Sequence, residues 1–412
     1  MKKTAFKAAF VEYLKGQAAQ HPGMTAQDGV KLCFQAAFGA EHILTDPAQA
    51  RANLLAEFAG TPPREMAVFE PISPEYSRCN LAAWKYRQLP PEWLFRMFWH
   101  SAAGNAAPAK KEDTGEREKP GEREKTGERE DAGALFMEYL ATVTACADQG
   151  FLPFSGAAWR EYLEEYLAGG VRPVHHSEEY RLREQPAYRI VKREYENLLP
   201  VLEKLLVLQE EALPEQALQE QAIQEQTNRE RDFQGQASRK QAGPKVIAID
   251  GRAAAGKTTL AVLLAQVLEA QVIPMDDFFL PAELRTAERL AESGGNIHYE
   301  RFCTEVLPYL KKNESFSYRR FDCGIMDYGG SRLIQSSSWR IVEGSYSCHP
   351  AFGDYMDLRV FCDISADKQR ERIIQRNGPE MAEVFFTRWI PMEEQYFKTE
   401  RIKEKADVII EA

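Results

Sequence analysis

The sequence predicts an α/β parallel sheet in the C-terminal part of the chain, preceded by a separate, mostly α-helical domain. Three observations lead there. From about residue 244 onward, short β-branched runs alternate with helical patterns, the order that builds a parallel sheet. Before residue 209 the chain is rich in Ala, Leu, Glu, Tyr and Trp, with apolar residues at helical spacing. Between the two, 209–243 is rich in Gln and Glu and reads as a linker. A length of 412 residues makes two domains, 1–208 and 244–412, the natural division.

In the first region the clearest helical stretches are 28–44, 79–100, 134–147, 157–168 and 187–208, with Pro200 expected to kink or restart the last one. Phe6, Phe10, Tyr13 and Leu14 recur at helical spacing and suggest an amphipathic first helix. Lys7, Glu12 and Lys15 interrupt what would otherwise imitate a secretion leader. Residues 109–131 are of low complexity: Gly-Glu-Arg-Glu-Lys occurs at 115–119 and again at 121–125. Such a segment has little to bury, and its repeated Gly argues against a charged helix, so a mobile insertion is expected.

The third region opens with a short apolar run, 245–250, suited to a strand buried on both faces. Gly251-Arg252-Ala253-Ala254-Ala255-Gly256-Lys257-Thr258 follows directly, and a helix begins at Thr259. Strand, loop and helix stand in the order that the phosphate-binding (Walker A) pattern G-x-x-x-x-G-K-[ST] requires. Gly251 and Gly256 permit backbone angles that other residues avoid, and three alanines let the backbone wrap closely around phosphates. Loop N–H groups and the helix N-terminus then face the anion, Lys257 adds a positive charge, and Thr258 offers a hydroxyl to Mg²⁺. The region therefore reads as a P-loop NTPase-type sheet that takes ATP and Mg²⁺.

Further strands are expected at 271–275, 339–344, 358–364 and 408–410. The second ends in Asp276-Asp277. Ligands of an open α/β sheet bind beyond the carboxyl ends of its strands. An acid there can take a proton from an acceptor hydroxyl or hold Mg²⁺ through water; it can also cap a helix. Asp276 is the favoured base, with Asp277 the alternative. Glu343 ends the third strand and is placed to act on Mg²⁺ or its water shell. Arg372 and Arg376, four residues apart, share one helix face and can close over a transferring phosphoryl group.

Together these motifs resemble the uridine kinase and phosphoribulokinase family of P-loop kinases, over roughly 244–412. The resemblance rests on Ile249-Asp250-Gly251 with Gly256-Lys257-Thr258-Thr259, on Asp276-Asp277-Phe278-Phe279, on Val342-Glu343-Gly344-Ser345-Tyr346, on Arg372 and Arg376, and on the stretch from Arg388 to Phe397. It implies ATP-dependent phosphorylation of a hydroxyl on a small molecule, with Asp276 as base, Glu343 near Mg²⁺, and Arg372 and Arg376 (Arg370 a further candidate) as lid arginines. Two acceptor-side segments depart from the family pattern: 295–302 lacks an acid followed by His-Pro, and 321–326 lacks the His that follows a Tyr-Asp-Phe stretch. Another sugar, nucleoside or vitamin-like alcohol therefore stands beside uridine and cytidine as acceptor.

Composition narrows the alternatives. With 62 acidic against 52 basic side chains the formal net charge is -10, which offers nucleic acid or an anionic membrane no global attraction. No apolar run approaches the roughly 20 residues that span a bilayer. Seven scattered cysteines without a CxxC pair suit reduced thiols in the cytoplasm. In residues 1–208 the polar clusters around Glu41-His42 and His175-His176 raise a metal or polar site, with ordinary helix ends as the alternative reading. A nucleotide-sensing module that regulates the first domain, or a bifunctional enzyme, are the competing functions.

Overall fold

In a computed structural model the chain is described at residues 2–40, 46–102, 121–211 and 243–412, with side chains left aside at 2–7, 121–130 and 209–211. It divides into two compact units, Met1–Glu196 and Asn197–Ala412.

The first unit holds helices α1 (Lys2–Gln20), α2 (Ala26–Phe38), α3 (Pro47–Gly60), α4 (Leu81–Tyr86), α5 (Pro91–Ala102), α6 (Gly121–Asp148), α7 (Gly156–Ala168) and α8 (Glu178–Glu184). It also holds an antiparallel sheet that the helical reading missed: β1 (Phe69–Pro71), β2 (Tyr76–Asn80) and β3 (Tyr188–Lys192), in that order. The expected helix 79–100 is broken where Gln88 takes φ 59° ahead of Pro90 and Pro91. The expected helix 187–208 is β3, then a tight turn, then α9 (Leu199–Glu211), with Pro200 in its first turn, where a missing N–H costs nothing. Helix α6 starts at Gly121, so the low-complexity stretch is helical from there on, against the expectation; 109–120 lies outside the described residues, as does most of the 209–243 linker. Val30, Leu32, Cys33, Phe136, Tyr139, Val143 and Trp159 form this unit's packed interior.

The second unit is built on five parallel strands: β4 (Lys245–Gly251), β5 (Gln271–Pro274), β8 (Trp339–Glu343), β9 (Leu358–Asp363) and β10 (Val408–Glu411), ordered β10-β9-β4-β8-β5. All five expected strands are present. Between β5 and β8 the chain inserts a hairpin, β6 (Phe316–Asp322) and β7 (Asp327–Ile334), which periodicity had not suggested. Val246 and Ala248 on one face of β4 join Phe278, Phe302, Tyr396 and Phe397 in the core. Ile247 and Ile249 alternate to the other side, and α10 (Lys257–Leu268) packs across β4, β5 and β8. Strands buried on both sides explain why β4 reads as an unbroken apolar run.

The helices completing this unit are α11 (Ala287–Ala291), α12 (Tyr299–Glu305), α13 (Ala366–Val384) and α14 (Ile390–Glu400). Helix α13 is kinked at Gly378, φ 75°, next to Pro379, and a π turn at Phe385–Trp389 joins it to α14. Chain order reverses on either side of β4, so the crevice at the sheet's carboxyl edge opens beside the end of β4. No helix among the described residues is long and apolar enough to cross a membrane.

Candidate functional site

A cleft of about 980 Å³ lies at that carboxyl edge. Its floor is the phosphate loop. Gly251 takes φ 135°, and a Cβ there would sit 2.1 Å from the Cys362 carbonyl, so β4 and β9 can run this close only with glycine. Gly256, φ 88°, caps α10 in the left-handed region. Ala253, Ala254, Gly256, Lys257, Thr258 and Thr259 line the cleft; Gly251, Arg252 and Ala255 do not and support the loop from behind. The Arg252 side chain turns away to Asp363 (2.9 Å) and Glu394 (3.2 Å). The Lys257 ammonium donates to the carbonyls of Gly251 (2.6 Å) and Arg252 (2.8 Å), holding its charge at the loop mouth.

Two acids stand opposite. Thr258 donates its hydroxyl hydrogen to Glu343 Oε2 at 3.3 Å. Glu343 is 6% exposed, and burial, with the nearby Asp276 charge second, pushes its pKa up to about 7. Asp276 opens onto the cleft, yet enough protein surrounds it that desolvation raises its pKa, with Lys257 opposing. Asp277 is turned the other way: buried, it accepts from Tyr318 Oη (2.8 Å) and Arg332 Nε (2.7 Å), tying the segment after β5 to the β6–β7 hairpin. The geometry thus separates two acids that the sequence left as alternatives. Only Asp276 is free to meet a ligand.

From α13, Arg372 and Arg376 both reach the cleft; Arg372 donates to the Ala254 carbonyl (3.1 Å) and Arg376 to Asn377 (2.9 Å). Arg370 lies over the Phe386 ring instead and does not line it. His298, in the departing segment 295–302, bonds Glu300 (3.1 Å) and stays outside, whereas Asn296 lines the cleft. Cys323 and Met326 enter it from the hairpin turn.

Behind the loop are residues whose placement sequence reasoning did not foresee. Asp250, fully buried, accepts from the N–H groups of Gly251, Tyr346 and Cys348 and from Tyr396 Oη. Its pKa is raised by burial, against these bonds. Glu393 accepts from the Ala253 N–H (3.0 Å) and Ser345 Oγ (2.6 Å), fixing the loop to α14 and to the end of β8. Each was visible only as one acid within a quoted motif. No periodicity marks an acid whose partners are backbone amides far away in sequence.

Among the described residues no three His, Cys, Asp or Glu side chains group as a metal cage. Mg²⁺ does not need one, since one or two carboxylates with phosphate oxygens serve it. Thr258 and Glu343 fit that pattern: hard oxygen donors, with the Asp276 carboxylate near enough to raise the pKa of Glu343. In the first unit His42 and Glu41 lie outside the described residues. His176 is buried, with Nδ1 2.9 Å from Asp28 and Nε2 2.6 Å from Tyr188 Oη. Burial lowers its pKa to about 4, so it is neutral, Nδ1–H donates to Asp28, and Tyr188 donates to Nε2. His175 is not part of this chain; its carbonyl accepts from Gln27.

No protein-family model and no curated protein matches the sequence. Among solved structures, the chain is similar to "a Possible Uridine Kinase from Bacillus stearothermophilus", at 22% identity and TM-score 0.33, covering 42% of this chain and 91% of that one. It is also similar to a D-glycerate 3-kinase from Cryptococcus neoformans, at 15% identity and TM-score 0.29, covering 39% of this chain and 81% of that one.

Proposed function

We propose that the second unit transfers the terminal phosphoryl group of ATP to a hydroxyl of a small molecule. The observation that carries this reading is the meeting, at one sheet edge, of Lys257 on a phosphate loop, an open acid at Asp276, and the paired guanidiniums of Arg372 and Arg376. Loop amides and the α10 N-terminus receive the donor phosphates. Asp276 takes the proton of the acceptor hydroxyl as its oxygen attacks the terminal phosphorus. The bond to the bridging oxygen breaks and ADP leaves, while Arg372 and Arg376 face the charge that spreads over the moving group. Thr258 and Glu343 would hold Mg²⁺, which supplies charge neutralisation to the donor phosphates.

An acceptor screen read by ADP release tests this reading. Turnover above the water background with at least one nucleoside, sugar or vitamin-like alcohol is expected, and its absence across the screen sinks the idea. Asp276→Asn should lower turnover by about 10²–10⁴-fold while ATP-analogue affinity holds. Retained function in that variant would favour a nucleotide-sensing module instead.

A second reading, chemistry or ligand binding in the first unit, is favoured by one observation. His176 and Tyr188, hydrogen-bonded to each other and with His176 to Asp28, line a cavity of about 430 Å³. If this relay only stitches the fold, His176→Gln in the full protein changes stability and no ligand response.

A further inference from the structure

The first unit's cavity of about 430 Å³ falls within the size range of small-molecule sites. Phe98 and Ile190, 3% and 4% exposed, give it an apolar floor. Its inner wall is polar and held in place. His176 is fixed between Asp28 and Tyr188. Gln35 is fixed in turn: it donates to Tyr188 Oη (3.2 Å) and accepts from the enclosed Arg78 (3.3 Å). Packed apolar side chains of similar volume would hold a fold as well as such a buried relay does. Side chains locked by a second layer of hydrogen bonds are what a binding wall needs.

The outer wall is one face of α3. Asp46, Gln49, Asn53 and Glu57 recur there at helical spacing, over a length of about 16 Å. Each keeps unspent bonding capacity among the described residues. Gln49 donates to Asn53 Oδ1 (2.8 Å), which leaves the Gln49 carbonyl and the Asn53 amide hydrogens without partners. Glu57 accepts from Arg189 at Oε2 (2.7 Å) and keeps Oε1; Asp46 Oδ1 accepts from the Ala48 N–H (2.9 Å) and keeps Oδ2. On the inner side Lys31, one helical turn before Gln35, donates only to the Val174 carbonyl (3.2 Å), and no carboxylate comes within 4.0 Å of it among the described residues.

This mixture of groups selects the ligand chemistry. Lys31 and Arg189 can only donate, Asp46 and Glu57 can only accept, and Gln35, Gln49 and Asn53 do both. A cation drawn to the acids meets Lys31 and Arg189, and an anion drawn to those cations meets Asp46 and Glu57. A hydroxyl donates and accepts at once, so a molecule with several of them satisfies both kinds of group and strands no charge. The C–H face of such a molecule would cover Phe98 and Ile190.

We infer that the first unit binds a neutral carbohydrate, a sugar or sugar alcohol, along the α3 face with Phe98 as its floor. The site lies wholly within the first unit. It goes beyond phosphoryl transfer and gives ligand binding in that unit a chemical class.

Titration calorimetry on the full chain tests this. The neutral probes are D-glucose, D-galactose, D-ribose, sorbitol, maltose and cellobiose; the charged probes are D-glucosamine and D-glucuronate. At least one neutral probe should bind with a Kd of about 1 mM or tighter, and at least tenfold more tightly than either charged probe. Asn53→Leu places an apolar side chain on the exposed outer wall, at a helix position that suits it. It should raise Kd tenfold or more while circular dichroism stays unchanged. Lys31→Met removes a donor of charge-assisted bonds and should raise Kd by about tenfold to a hundredfold. Hydrogen exchange with the sugar bound should show added protection at the amides of α3 and β3.

No binding by any neutral probe would overturn the inference, and so would a charged probe that binds as tightly as the neutral ones. Affinity that survives both Asn53→Leu and Lys31→Met would also overturn it. Protection confined to the second unit would assign the sugar to the phosphate-loop cleft and overturn it likewise. None of these results bears on phosphoryl transfer, which ADP release reads separately.

Discussion

Glu343→Gln isolates the energetic consequence of the buried acid beneath the phosphate loop. The Glu343 carboxyl binds its proton more tightly in the folded chain, with a pKa of about 7 against the ordinary 4.5 of a glutamate. The sign follows from linkage. Below pH 4.5 the group is protonated in both states and costs nothing. As pH rises toward 7 the unfolded chain loses this proton while the folded one keeps it, so stability falls, and above 7 the loss is complete. At about 1.4 kcal/mol for each tenfold difference in proton affinity, the cost at pH 8 is about 3 kcal/mol. Glutamine keeps the shape and an oxygen for the Thr258 hydroxyl but does not titrate. The gap between the variant and the wild type should be smallest at the acid end, about 1 kcal/mol at pH 5, and widen to about 3 kcal/mol at pH 8. Hydrogen exchange at the amides of β4 and β8, corrected for intrinsic rate, reports the stability of this unit alone. Parallel wild-type and variant profiles from pH 5 to 8, or a wild type that gains stability with rising pH relative to the variant, would refute the reasoning.

Three further outcomes follow from the geometry. Lys257→Ala removes the ammonium at the loop mouth. It should weaken ATP binding by about 1.5–3 kcal/mol, measured by titration calorimetry. Gly251→Ala places a methyl 2.1 Å from the Cys362 carbonyl at φ 135°, so a loss above about 4 kcal/mol and no soluble folded second unit is expected from circular dichroism and limited proteolysis. Arg332→Leu leaves the buried Asp277 carboxylate with Tyr318 alone. It should cost about 1.5–3 kcal/mol and make the 323–326 turn the first site of proteolytic cutting; an unchanged digestion pattern counts against the tether.

What could be read from the sequence tracks the range of the forces involved. Strands β4, β8 and β9 were legible because two-sided burial writes itself into consecutive residues, and β5 and β10, less buried, as short β-branched runs. The phosphate loop was legible because its backbone angles demand glycine at fixed spacing. The β6–β7 hairpin was not. Its burial alternates irregularly, its register shifts between Arg319 and Phe321, and its anchor, Asp277, lies 41 residues before Tyr318. The sheet of the first unit failed for a related reason: β2 and β3 are far apart in sequence, with Arg78 on β2 fully enclosed. That guanidinium donates to Gln17 and Gln35 and stacks over Tyr188. A buried arginine reads locally as a surface residue, and only long-range partners reveal otherwise.

The tether from Asp277 to the hairpin has one more implication. On the proposed reading, the donor half of the cleft is written in backbone: glycine angles, amide directions, the dipole of α10. The acceptor half of that reading is written in side chains on a hairpin held through two carboxylates, Asp277 and Glu305. Changing the backbone half breaks the fold, whereas the hairpin turn can be rebuilt residue by residue while Asp276 stays in place. On the proposed reading a lineage could exchange one acceptor for another by drift at 323–326, with the phosphate loop held constant. The chain has the layout of a tool with a fixed handle and an interchangeable bit.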